Sequence, residues 1–118
     1  MRMLLVEDHP IFRFGVRHLV SQRWPDAEVA EADSLGAALA VLRDSVWDMA
    51  IVDLNLPDAK GVESITQILR AAEGVRILVL SLHDEVAYAR QVLRLGAHGY
   101  LAKEHATDEL IHARICPA

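Results

Sequence analysis

Apolar positions along the chain follow two alternating patterns. Unbroken apolar runs occur at Leu4-Leu5-Val6, Met49-Ala50-Ile51-Val52 and Ile77-Leu78-Val79-Leu80, as expected of strands covered on both faces. Val29 and the Gly99-Tyr100-Leu101 segment mark two shorter strands. Between the runs, apolar residues recur at helical spacing. Ile11, Phe12, Val16, Leu19 and Val20 predict a first amphipathic helix, with Pro10 suited to its opening turn. Leu35, Leu39 and Leu42 predict a second, capped by Ser34. Val62, Ile65, Leu69 and Ala72 predict a third, ended by Gly74. Val86, Ala89 and Leu93 predict a fourth, between a capping Asp84 and a closing Gly96. Thr107 is placed to cap a fifth, short helix defined by Leu110, Ile111 and Ile115.

Five β-then-α units imply a doubly wound parallel sheet with right-handed crossovers and helices on both faces. The length of 118 residues suits one such domain, large enough to bury a core without staples. A lone cysteine, Cys116, makes no internal disulfide and reads as a bystander thiol of a reducing compartment. No apolar run approaches a membrane span, and the opening Met1-Arg2-Met3-Leu4 is unlike a signal peptide. A cytoplasmic protein is the expectation. The net charge of −5 argues against nonspecific DNA binding by this stretch itself.

In sheets of this type, ligands sit beyond the carboxyl ends of the strands. The first strand ends in Glu7-Asp8, the third in Asp53 and the fourth in Ser81, and the fifth is followed by Lys103. One acidic strand end is an ordinary helix cap. Functional groups at every one of these ends are much harder to explain as caps. Gathered carboxylates repel one another unless a cation neutralises them, and an oxygen-only donor set suits Mg2+. A lysine at the same point then faces a second anion, and a phosphoryl group satisfies both requirements. Only Lys60 and Lys103 are lysines among cations that are otherwise arginine. A flexible point charge is thus set apart from planar forks. The six histidines, His9 included, show neither adjacent-turn pairing nor a cysteine at ligand spacing, and read as surface residues.

These motifs resemble the receiver domain of two-component response regulators over essentially the whole chain. The resemblance rests on Glu7-Asp8, on Asp53-Leu54-Asn55-Leu56-Pro57 with Gly61, on Ser81, and on Gly99-Tyr100-Leu101-Ala102-Lys103. Any one of these is weak; their order and spacing together are specific. Val6-Glu7-Asp8-His9-Pro10 and the run after Asp53 look most like the NarL/FixJ subfamily, whose members usually carry a helix-turn-helix DNA-binding domain after the receiver.

The resemblance implies a flavodoxin-like fold of strand order 2-1-3-4-5 with five helices, and the apolar face of barely two turns before Pro117-Ala118 predicts a shortened last one. The resemblance implies that Asp53 accepts a phosphoryl group from a sensor histidine kinase. Mg2+ would be held by Glu7, Asp8, Asp53 and the backbone carbonyl of Asn55. Lys103 and the Ser81 hydroxyl would meet phosphoryl oxygens, and Tyr100 would turn inward as Ser81 moves, a population shift read out on the surface around the fourth helix and fifth strand. The resemblance also implies self-catalysed dephosphorylation of the labile acyl phosphate, homodimerisation on activation, and DNA contact only through a C-terminal output domain beyond residues 1–118. Two departures stand out. Leu82 follows Ser81 where many receivers have a small residue, and Glu104 follows Lys103 where many have proline.

Phe14 falls away from the apolar face of the first helix, in line with Pro10, Arg13 and Arg17. An exposed aromatic among arginines suggests a kinase-docking surface. The rival of a different class is a receiver-like module that dimerises or docks without phosphorylation. A haloacid-dehalogenase-type phosphatase would need a second aspartate two positions after the nucleophile, where Asn55 stands. A P-loop or dinucleotide site lacks its glycine-rich loop.

Overall fold

A computed structural model of the chain describes residues 1–60, 63–81 and 86–102. Gly61, Val62, Leu82, Asp84 and everything from residue 103 onward, including Lys103, Glu104 and the expected fifth helix, lie outside the described residues. The element order is β1 (Arg2–Val6), α1 (Pro10–Arg23), β2 (Glu28–Ala32), α2 (Leu35–Asp44), β3 (Met49–Asp53), β4 (Asn55–Leu56), β5 (Ala59–Lys60), α3 (Glu63–Ala71), β6 (Arg76–Ser81), α4 (Val86–Arg94) and β7 (Gly99–Ala102).

Five strands form one sheet in the order β2-β1-β3-β6-β7, every neighbouring pair parallel. Counting sheet strands along the chain, this is the expected order 2-1-3-4-5. The unbroken apolar runs fill the centre because each strand buries both faces. Alternate residues divide between two cores, as the period of two requires. Leu4, Val6, Ala50, Val52, Ile77 and Val79 pack with α2, α3 and Val92 of α4. Met3, Leu5, Met49, Ile51, Leu78 and Leu80 pack with Val16 and Val20 of α1. Each Val, Leu, Ile or Met among them contributes about 1.5–3 kcal/mol through burial.

Helix ends follow the local chemistry. Ser34 Oγ accepts from Ala37 N at 3.1 Å as the α2 cap. Gly96, just past α4, sits at φ +117, and a Cβ there would lie 2.6 Å from Leu69 Cδ1. The positive φ favours glycine at this position, and a Cβ would also have to displace the end of the Leu69 side chain.

Three details depart from the sequence expectation. Ile11 is 90% exposed. The apolar stripe of α1 is Phe12, Val16, Leu19 and Val20, and at 100° per residue Ile11 lies outside it, on the side of Phe14. Leu93 is likewise exposed while its neighbour Val92 is fully buried, a phase error of one residue in α4. Finally, the segment after β3 contains an antiparallel two-residue hairpin, with Asn55 opposite Lys60 and Leu56 opposite Ala59. Strands this short carry no readable periodicity.

Candidate functional site

The carboxyl ends of β1, β3 and β6 are adjacent because the sheet order places β3 between the other two. Parallel pairing then brings the carboxyl ends of the strands level at one edge: Val6 is opposite Val52, Asp53 opposite Leu80, and Ser81 opposite Ala102. Glu7, Asp53 and Ser81 are fully buried at that edge, and Asp8 is half-buried. Glu7, Asp8, His9 and Asp53 each bring one ligand atom into a group whose members all lie within 4.8 Å of one another.

The main chain around this group is tightly referenced. Glu7 N donates to Ala32 O at 3.0 Å, and Leu54 N donates to Leu80 O at 3.0 Å. Arg13 Nη1 donates to the Glu7 carbonyl at 2.8 Å. His9 N donates to Glu7 Oε1 at 3.1 Å. The His9 ring also joins the group, with Nδ1 2.8 Å from Glu7 Oε1 and 3.2 Å from Asp8 Oδ1. His9 is exposed, as the sequence predicts of its histidines, but it has partners that the sequence does not reveal. Ligand spacing found no partner for it because its partners are carboxylates one and two residues away.

Two buried carboxylates beside a third favour a cation through charge alone. The donor set is chiefly carboxylate oxygen, which fits a hard divalent ion such as Mg2+. Ser81 brings its hydroxyl to the neighbouring strand end. Tyr100, opposite Val79 in the register, is half-buried and packs against the core shared with α2 and α3.

Beside the carboxylates, the start of α1 presents Pro10, Ile11 and Phe14 to solvent, Ile11 at 90% and Phe14 at 74% exposure. Arg13 and Arg17 are less free than the sequence suggests, since both pair with Glu31 of β2. Arg13 Nε lies 3.3 Å from Glu31 Oε1, and Arg17 Nη1 pairs with the other oxygen. The exposed feature is therefore an apolar pair, flanked by arginines held in place.

One further carboxylate escaped the sequence reading. Asp58, at the turn of the β4–β5 hairpin, accepts from Leu35 N at 2.8 Å and from Gly36 N at 2.9 Å. These two backbone hydrogen bonds, to Gly36 first, hold its pKa below the ordinary 3.8. No local signal could have revealed a cap supplied from 22 and 23 positions downstream.

Known proteins share both the sequence and the fold. Residues 3–114 match the family described as "Response regulator receiver domain". The transcriptional regulatory protein DegU of Brevibacillus brevis is 33% identical over 96% of this chain and 48% of its own length. The response regulator UvrY of Escherichia coli is 31% identical over 96% of this chain and 52% of its own. The chain thus spans about half the length of the curated relatives it matches. Among solved structures, a LuxR-family two-component response regulator from Aurantimonas superposes with TM-score 0.84 at 36% identity, over 95% of this chain and 80% of that one. A response regulator from Burkholderia pseudomallei, solved with a phosphorylated aspartic acid, a calcium ion and citrate, gives TM-score 0.81 at 26% identity, over 95% and 65%. Sequence, strand order and the clustered acids agree, and the chain belongs to the response regulator receiver domain family, among relatives of the NarL and LuxR type.

Proposed function

We propose that this domain accepts a phosphoryl group on Asp53 from a phosphohistidine of a sensor kinase and thereby switches a DNA-binding output domain. The observation that carries the reading is the convergence of Glu7, Asp8 and Asp53 within 4.8 Å at one sheet edge, with Ser81 at the next strand end. A carboxylate oxygen of Asp53 forms the new bond to phosphorus as the phosphorus–nitrogen bond of the phosphoimidazole breaks, its electron pair returning to the ring. Glu7, Asp8, Asp53 and the Asn55 carbonyl would hold Mg2+, which when bound offsets charge on the phosphoryl oxygens. Ser81 donates its hydroxyl to a phosphoryl oxygen, and Lys103 pairs with another. The acyl phosphate so formed is labile, and the domain also catalyses its own dephosphorylation.

Tyr100 is the switch residue, its ring turning inward as Ser81 moves toward the phosphate. The activated domain forms a homodimer. The kinase docks on the start of α1, with Phe14 and Ile11 as apolar anchors and Pro10, Arg13 and Arg17 around them. DNA is contacted only by the additional chain that the relatives carry. No helix among the described residues is long and apolar enough to cross a membrane.

Beryllofluoride, which mimics an acyl phosphate, tests the site directly. With Mg2+ it is expected to shift the amide resonances around Asp53, Ser81 and Tyr100 in the wild type and to leave Asp53→Asn unchanged. No shift in the wild type would favour a module that dimerises or docks without phosphorylation.

A further inference from the structure

The backbone around the carboxylates closes into a ring of contacts whose last link is Asp58. Glu7 N is bonded to Ala32 O at the end of β2. Two residues later Ser34 caps α2, its hydroxyl taking Ala37 N while its carbonyl takes Ala38 N. Leu35 N and Gly36 N remain, and the Asp58 carboxylate takes both. Asp58 itself sits at the tip of a hairpin whose first strand begins at Asn55, two residues after Asp53. Leu54 and Leu56 on either side of Asn55 are fully buried. The segment is therefore held from below by two core side chains and from above by one exposed carboxylate.

We infer that Asp58 is a positioning residue for the metal site, strapping the hairpin to the N-terminus of α2 and so fixing the Asn55 carbonyl relative to Glu7 and Asp8. The inference rests on the reading of that carbonyl as a metal ligand. The Asp58 carboxylate ties the exposed end of the hairpin to α2, the helix that follows Ala32. A carboxylate is suited to the task because its two oxygens accept from two successive amides at once, at the positive end of a helix dipole. The lowered pKa of Asp58 agrees with a carboxylate held ionised by those amides. Groups outside a metal's ligand set commonly change its affinity by 10–100-fold when removed, because they orient the ligands.

The experiment compares a strap with a cap on the same helix end. Mg2+ dissociation constants are measured by calorimetry, alongside thermal midpoints, for wild type, Asp58→Ala, Asp58→Asn and Ser34→Ala. Asp58→Ala is expected to weaken Mg2+ binding about tenfold. Asp58→Asn keeps the shape and one acceptor, so a smaller loss is expected. Ser34→Ala removes a cap bond unconnected to the hairpin, and should lower the midpoint with Mg2+ affinity unchanged. If both Asp58 variants bind Mg2+ as the wild type does while their midpoints fall, Asp58 is a helix cap and nothing more. If Ser34→Ala weakens Mg2+ binding as much as Asp58→Ala, the effect is general destabilisation and the inference fails. Absence of Mg2+ binding by the wild type would overturn the metal-site reading itself, a distinct result.

Discussion

Asp53, Phe14 and Ile11 are the residues on which the functional account depends. Asp53 ends a fully buried strand, so its carboxylate is presented at a fixed point beside Glu7 and Asp8. Phe14 and Ile11 are unusual in the opposite way, being large apolar groups left in solvent on the first turns of a helix. Their role as anchors predicts that Phe14→Ala slows phosphoryl transfer from the cognate kinase about tenfold, the loss of an average interface anchor. Transfer from acetyl phosphate, which needs no docking surface, should be unchanged. Equal slowing with both donors would show a folding defect instead. The Ile11→Ala variant extends the test to a residue that the sequence pattern had assigned to the core. Ile11 was misread because it adjoins Phe12 in sequence, and one residue is a turn of 100° on a helix.

At the scale of elements, the central strands were readable because burial on both faces leaves them no polar positions. Ser34 was readable as a cap because its partner lies three residues away. The β4–β5 hairpin and the Asp58 strap were not, since one is too short for periodicity and the other joins distant segments. His9 is a surface residue as expected, but its contacts were not readable because they are with carboxylates rather than with another histidine or a cysteine.

Asp58 has a further consequence in acid. Its folded pKa is depressed, so its ionised form stabilises the fold fully above the unfolded value near 3.8, and that contribution is lost as pH falls through the lower folded value. Stability measured by urea unfolding should therefore fall less steeply below pH 4 in Asp58→Asn than in the wild type. Equal slopes would show that the two amide bonds carry no net preference for the ionised form. Gly96 makes a separate claim: Gly96→Ala combines a positive φ with a contact of 2.6 Å to Leu69. A loss of about 2 kcal/mol in unfolding free energy is expected, and a loss below about 0.5 kcal/mol would mean that α4 ends differently.

For the whole molecule, an acidic domain of net charge −5 is built around a sheet whose strand ends gather part of that charge in one place. The fold and the carboxylate cluster were both accessible from the alternation of apolar runs and the residues that follow them. Lys103, proposed to pair with a phosphoryl oxygen, and the two departures Leu82 and Glu104 lie outside the described residues. The relatives, about twice as long as this chain, are transcriptional regulators, and the switch proposed here would act on the additional chain they carry. The most direct measurement of the central claim is the intact mass of the protein after incubation with acetyl phosphate, with and without Mg2+. A gain of one phosphoryl group is predicted in wild type with Mg2+ alone, absent after chelation and absent in Asp53→Asn. No gain in wild type, or an equal gain in Asp53→Asn, would contradict Asp53 as the phosphoacceptor.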